Sequence, residues 1–315
     1  MPGNTFYISF PGLGIEPFSM TKTAFSLFGR DVAWYGILIC TGMLLAFFYG
    51  LGRIKREKIS VDDYYNLLLL IIPFGIMGAR LYYVLTSLDY YRGRPFLDWI
   101  AVWEGGIAIY GAIIAGILCI LIYTRAKKLP LFKILDAFAP ALLIGQILGR
   151  WGNFCNGEAH GYATSLPWRM GLGMTEEITE FFHPTFLYES LWNLALFLII
   201  HFFLYRKKKY DGEIFCFYAA FYGIGRAFIE MLRTDSLYIF GTVRISSLVG
   251  FASFAIFGTL FLLGFARAKK APPAEEKAPV VFESTSVIGK AQSPEKPEDT
   301  NIPAEDTAEG KDQEL

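Results

Sequence analysis

The apolar residues of this chain come in long runs, and the polar ones gather in the stretches between them. A helix crosses the ~30 Å hydrocarbon layer of a bilayer with roughly 20 mostly apolar residues. Seven runs are near that length: about 34–51, 66–88, 104–123, 134–150, 184–205, 214–233 and 245–266. The pattern predicts an all-α integral membrane protein, a bundle of about seven transmembrane helices. No internal repeat accompanies the runs, which disfavours the duplicated plan common among secondary transporters.

Charge gives this row of helices a direction. One set of connecting segments carries Arg53, Lys55, Arg56 and Lys58, then Arg125, Lys127, Lys128 and Lys133, then Arg206, Lys207, Lys208 and Lys209, then Arg267, Lys269 and Lys270. The opposite set carries only Lys22, Arg30, Arg92, Arg94, Arg169 and Arg244. Lysine and arginine stay on the cytoplasmic side. The N-terminus is therefore expected outside, and an odd number of crossings leaves the C-terminus in the cytoplasm. The membrane domain is expected over 1–270, with a small extracytoplasmic loop region whose largest piece is about 151–183. Residues 271–315 are rich in Pro, Glu, Ala, Ser and Lys without apolar periodicity, the composition of a disordered tail.

Composition narrows the function classes. Of 315 residues, 54% are hydrophobic and 18% charged, and the mean hydropathy is +0.38, too high for an ordinary soluble domain. The net charge is zero, so no global field points to nucleic acid. Of Cys40, Cys119, Cys155 and Cys216, three lie in apolar runs and none forms a close CxxC pair, which suggests neither a disulfide framework nor a zinc site. No basic start precedes a short apolar stretch and cleavage site, so no removable signal peptide is expected.

Ionisable side chains inside a span are costly unless paired or wetted, and so mark function by default. Arg80, Glu104, Arg150 and Glu189 lie in or at the ends of the second to fifth runs. The sixth run reads FYGIGRAFIEMLR, with Tyr222, Arg226, Glu230 and Arg233 at i, i+4, i+8 and i+11, one face of a helix. Such a stripe faces a bundle interior or a wet cavity. A structural ion pair between Arg226 and Glu230 is one account of it. The other rests on an apparent surplus of arginines over nearby carboxylates: a guanidinium is permanently charged, planar and suited to a phosphate. The abundant phosphate at that depth is a phospholipid headgroup.

The fourth run ends in GRWGNFCNGEAHG, Gly149–Gly161. Gly149, Gly152, Gly157 and Gly161 imply tight turns or a close backbone approach. Asn153 and Asn156 offer donors and acceptors, Arg150 a phosphate clamp, and Glu158 a partner or base. A plain helix end followed by a polar loop would use the same residues, and spacing alone leaves both accounts standing.

This stretch resembles the G-R-x-G-N-F-x-N-x-E-x-x-G signature of the prolipoprotein diacylglyceryl transferases. Gly149, Arg150, Gly152, Asn153, Phe154, Asn156, Glu158 and Gly161 carry the match. Further segments resemble that family in the same order: AWYG at Ala33–Gly36, WEGGIAIYGA at Trp103–Ala112, HPTFLYE at His183–Glu189 and YGIGRAFIEMLRTD at Tyr222–Asp235. The tail after about 270 is not covered.

The resemblance implies an enzyme of the bacterial cytoplasmic membrane. It would move the diacylglyceryl group of phosphatidylglycerol to the lipobox cysteine of a preprolipoprotein signal peptide, and release glycerol phosphate, with no cofactor and no metal. It implies Arg150 and Arg226 as phosphate-binding catalytic residues. Asn153, Asn156 and Glu158 would shape the headgroup site, Glu230 and Arg233 would orient the arginines, and Tyr35 and Tyr222 would bind headgroup or substrate or anchor at the interface. Some relatives carry histidine, a proposed base, where Tyr110 stands. Tyrosine titrates near 10, so Tyr110 suits hydrogen-bond donation better than proton abstraction, and Glu104 and Glu158 are further base candidates. Cys155, His160 and His183 are expected to be structural. A different phospholipid-handling enzyme and an anionic-solute transporter are the competing classes.

Overall fold

The computed structural model describes residues 5–239 and 242–270. The tail expected from 271 onward lies outside the described residues. Among the described residues, seven helices are long and apolar enough to cross a membrane. In chain order the helices are α1 (Trp34–Arg56), α2 (Val61–Thr86), the short α3 (Leu88–Tyr91) and α4 (Phe96–Ile100), α5 (Ile109–Lys127), α6 (Leu131–Cys155), α7 (Thr185–Ile199), α8 (Glu213–Leu232) and α9 (Ile245–Lys270). A π-type turn at Ile200–Leu204 and a 3-10 turn at Tyr205–Lys207 prolong α7. Each expected run has its helix.

Local chemistry fixes several helix ends. Ser60 caps α2, its hydroxyl accepting the Asp62 N–H at 3.2 Å, and Asp62 and Asp63 sit in the first turn. The last turns of α1, α5 and α9 are basic. Both placements complement the helix dipole.

The helices pack as α1 on α6, α2 on α5, α6 on α7 and α8 on α9. Lipid tails give no hydrophobic drive for such pairing, so close backbone approach at small residues has to supply it. Gly78 meets Gly111 between α2 and α5, and Gly223 meets Gly250 between α8 and α9; a Cβ on Gly111 would stand 2.1 Å from the Gly78 carbonyl oxygen, and one on Gly250 2.4 Å from that of Gly223.

The two ends of the bundle differ. At the basic end, Lys208 Nζ lies 2.9 Å from Glu57 and 3.0 Å from the fully buried Asp136. Asp136 also accepts the backbone N–H groups of Gly212 and Phe215 at 2.8 and 2.9 Å. This knot ties the end of α1, the start of α6 and the α7–α8 turn.

The other end carries strands that the run pattern did not predict. β1 (Thr5–Phe10), β2 (Ile15–Thr21), β5 (Met170–Gly173) and β6 (Phe181–Phe182) form an antiparallel sheet in the order β2-β1-β5-β6. Two hairpins stand beside it, β3 (Thr23–Leu27) with β4 (Arg30–Ala33) and β7 (Tyr238–Ile239) with β8 (Val243–Arg244). Phe6, Ile8, Phe10 and Met170 of the sheet bury against Phe186 of α7, with Phe154 of α6 packed at the edge.

Two boundaries also differ from expectation. The third span starts at Ile109, not near 104, because Gly105 and Gly106 take left-handed φ of +84° and +70° and break the chain's path. Glu104 is accordingly exposed in a turn rather than opening a helix. The fourth span continues through Cys155, so the long loop begins after Cys155 and not at Trp151.

Candidate functional site

The extra turn of α6 sets up the first half of the site. Arg150 and Asn153 fall three residues apart on one helix face, and Arg150 Nη1 donates to Asn153 Oδ1 at 3.2 Å. Asn153 Nδ2 and Asn156 Nδ2 both donate to Glu158 Oε1, at 2.9 and 3.2 Å. Gly157 then turns the chain back with φ +65°. The loop threads between two helix ends: Thr185 Oγ1 donates to Ala159 O at 2.6 Å, Gly161 N to His183 O at 2.9 Å and Tyr162 N to Leu232 O at 2.8 Å. At Gly161 a Cβ would stand 2.7 Å from both the His183 Cβ and the Leu232 carbonyl oxygen, so only glycine passes.

The second half comes from α7 and α8. Glu189 is 1% exposed. Its Oε1 lies 2.7 Å from Arg150 Nη2, and its Oε2 accepts Arg226 Nη1 at 2.8 Å. Arg226 Nη2 also pairs with Glu230. Arg233 lies 4.0 Å from Glu230 and donates to both carboxylate oxygens of Asp235, at 2.9 and 2.7 Å. Asp235 lies beyond the end of α8; burial disfavours its charged form, but the Arg233 hydrogen bonds outweigh that and hold its carboxyl below the usual range. Both arginine side chains are partly exposed, 21% for Arg150 and 18% for Arg226. Each guanidinium has five N–H donors, and these contacts leave donors free on both. Chemically, the arrangement is two fixed guanidinium groups bridged by the buried Glu189 carboxylate, the second also paired with Glu230, and fixed guanidinium donors of this kind can bind an oxyanion.

A family model described as prolipoprotein diacylglyceryl transferase matches residues 22–263. The phosphatidylglycerol–prolipoprotein diacylglyceryl transferase of Finegoldia magna is 43% identical over 233 residues, which cover 74% of this chain and 91% of that protein. This chain belongs to the prolipoprotein diacylglyceryl transferase family. Proteins with the same description from Lactobacillus acidophilus and Thermotoga petrophila are each 41% identical, over 262 and 254 residues; these cover 81% and 78% of this chain, and 92% and 83% of those proteins. The resemblance seen in the motifs is borne out, and the chain is an integral membrane transferase.

Within this diacylglyceryl transferase chain, the residues singled out from sequence do not all converge. Arg150, Asn153, Asn156, Glu158, Arg226, Glu230 and Arg233 form one hydrogen-bonded and ion-paired set with Glu189. Tyr35 packs its ring on α6 at Gly152, where a Cβ would lie 2.8 Å from it. Tyr222 stacks on Tyr218, with ring centroids 5.6 Å apart, one turn of α8 before Arg226. Tyr110, on α5, is not hydrogen-bonded to this set: its hydroxyl lies 3.1 Å from Ser246 Oγ in the first turn of α9.

The expected surplus of arginines is not found within the row. Arg150, Arg226 and Arg233 are matched by Glu189, Glu230 and Asp235. Arg80 is buried apart from them, its guanidinium spent on the carbonyls of Asp98, Trp99, Gly105 and Gly106. The two histidines make local contacts: His160 packs tilted against Phe182 with centroids 4.4 Å apart, and His183 Nδ1 lies 3.2 Å from the Tyr188 hydroxyl. Burial pushes the titration of His183 below the ordinary histidine value.

Glu189 is the member that sequence reasoning left without a role. Its signal was there, a lone carboxylate early in an apolar span. Arg244 was counted only as a loop charge, and its short polar surroundings gave no sign of what it meets.

Proposed function

We propose that this chain transfers the diacylglyceryl group of phosphatidylglycerol to the thiol of a lipobox cysteine in a preprolipoprotein, with Arg150 and Arg226 holding the phosphate that leaves. The observation that carries this is the pair of partly exposed guanidinium groups aligned on the buried Glu189. In the proposed step a C–S bond forms as the C–O bond between diacylglyceryl carbon and phosphate oxygen breaks. The bonding pair goes to the phosphate, which departs as glycerol phosphate, and the thiol proton passes to the phosphate dianion so formed, directly or through water. The step is redox-neutral, and the proposal includes no metal and no organic cofactor.

Negative charge grows on phosphate oxygens as the bond breaks, and fixed donors in a poorly hydrated site stabilise it without reorganising. Glu189 keeps two like charges side by side before substrate arrives. Asn153, Asn156 and Glu158 are assigned to the glycerol headgroup, whose hydroxyls need both donors and acceptors. Glu230 and Arg233 hold Arg226 in place, and Tyr35 and Tyr222 line the approach of headgroup or peptide. Tyr110, held by Ser246, is assigned as a hydrogen-bond donor to the phosphate rather than as a base. The strand-bearing end is assigned to the outside of a bacterial cytoplasmic membrane, because the basic loops gather at the other end.

The test is mass spectrometry of a synthetic lipobox peptide incubated with the purified protein and phosphatidylglycerol. One diacylglyceryl mass on the cysteine peptide, and none on its Cys→Ser version, is the expected result. No addition to either peptide would refute the assignment.

A further inference from the structure

Arg244 takes no part in the row described above. It ends β8, directly before α9. Three acceptors hold its guanidinium: Nε donates to the Tyr238 hydroxyl at 3.1 Å, Nη1 to the Glu230 carbonyl at 3.0 Å and Nη2 to the Tyr162 hydroxyl at 2.8 Å. The guanidinium carbon lies 5.7 Å from each tyrosine ring centroid. All three acceptors are neutral. Among the described residues, no carboxylate comes within ion-pair distance of Arg244, whereas Arg150 has one and Arg226 and Arg233 have two each. Its permanent charge is therefore fixed in position by neutral acceptors, with no carboxylate in direct contact among the described residues.

The donors around that charge point to an anion. Three of the five guanidinium N–H groups are used, which leaves two. Each phenol oxygen accepts from Arg244 through a lone pair, a contact that does not use its own O–H. Tyr162 and Tyr238 are 46% and 45% exposed, so the cluster opens to the surroundings rather than to the protein interior. It sits next to the catalytic row: the Glu230 whose carbonyl Arg244 holds is the residue whose carboxylate pairs with Arg226. Tyr162 directly follows the Gly161 that threads between α7 and α8.

We propose that Arg244, Tyr162 and Tyr238 form a second anion site at the rim, which takes a phosphate ester on its way into or out of the Arg150–Arg226 row. The ligand is either the headgroup phosphate of an incoming phospholipid or the glycerol phosphate set free by the reaction. The proposal rests on the transferase assignment for the identity of that phosphate ester. An arginine that only clamps the β7–β8 hairpin to α8 would not bind either one.

The experiment measures binding to the full-length protein in nanodiscs, with two probes: phosphatidylglycerol titrated into a phosphatidylcholine background, and soluble glycerol phosphate. The wild type is compared with Arg244→Gln and with the double variant Tyr162→Phe/Tyr238→Phe, which keeps both rings and removes both hydroxyls. Arg244→Gln is expected to weaken at least one probe about tenfold, the usual order for losing a charged hydrogen-bond donor. The double variant is expected to weaken the same probe several-fold. Loss confined to phosphatidylglycerol identifies an entry site, and loss confined to glycerol phosphate an exit site. Binding of both probes within twofold of wild type in both variants would overturn the proposal. If Arg244→Gln does not fold, the double variant decides alone. Because binding is read without turnover, a wild-type protein that lipidates no peptide would count against the transferase assignment and leave this test intact.

Discussion

At the scale of single residues, the site turns on Glu189. Two guanidinium groups set side by side repel strongly where water is scarce, and the buried carboxylate between Arg150 and Arg226 makes their proximity tolerable. Lysine could not take either place, since it offers one point charge where the structure uses a planar fork with several donors at once. Tyr110 is the other residue that decides something. If its hydroxyl donates to the phosphate, Tyr110→Phe should slow single-turnover transfer by about tenfold or more, while Ser246→Ala, which removes only its resting partner, should slow it less. Rates within twofold of wild type for Tyr110→Phe would take the hydroxyl out of the chemistry. The arginine row was legible in the sequence because Tyr222, Arg226, Glu230 and Arg233 follow the helical period on one span. What each arginine meets was not legible. Arg80 turning to carbonyls, Glu189 bridging two helices and Arg244 meeting two phenols all depend on which faces come together in space, and one chain of letters does not contain that.

At the scale of elements, α6 and the loop that follows it do the positioning. By continuing to Cys155, α6 carries Arg150 and Asn153 on a rigid turn, and the loop is then fixed at both neighbouring helix ends. Gly161→Ala forces a methyl group against the Leu232 carbonyl oxygen and the His183 Cβ, each 2.7 Å from where it would sit. Overpacking of this kind costs about 1–3 kcal/mol, and here it falls on backbone that positions Arg233. The variant should unfold at a lower temperature in detergent and lose most of its transfer activity; a wild-type profile in both would show that the threading is not needed. The strands at this end were partly legible. Phe6, Ile8 and Phe10 alternate with Thr5, Tyr7 and Ser9, the period of a half-buried strand. The run pattern passes over that signal because two of the sheet's four strands come from residues some 160 positions away, Met170–Gly173 and Phe181–Phe182.

At the scale of the whole molecule, seven apolar runs became seven helices, since a span must satisfy its own backbone hydrogen bonds and its length is set by the bilayer. Orientation follows from the basic loops. In a cysteine-free background, a membrane-impermeant maleimide added to intact cells should label Glu177→Cys in the long loop and spare Lys128→Cys between α5 and α6. The reverse pattern would invert the proposed topology and place the arginine row on the wrong side for a secreted substrate. What the row does once both substrates are in place is read from single-turnover thioether formation at saturating phosphatidylglycerol in Arg150→Lys and Arg226→Lys. A clamp on the leaving phosphate predicts a fall in that rate of about a hundredfold or more in each variant. Rates within a few-fold of wild type, with only the unfolding temperature lowered, would contradict it and reduce the row to a structural ion-pair network.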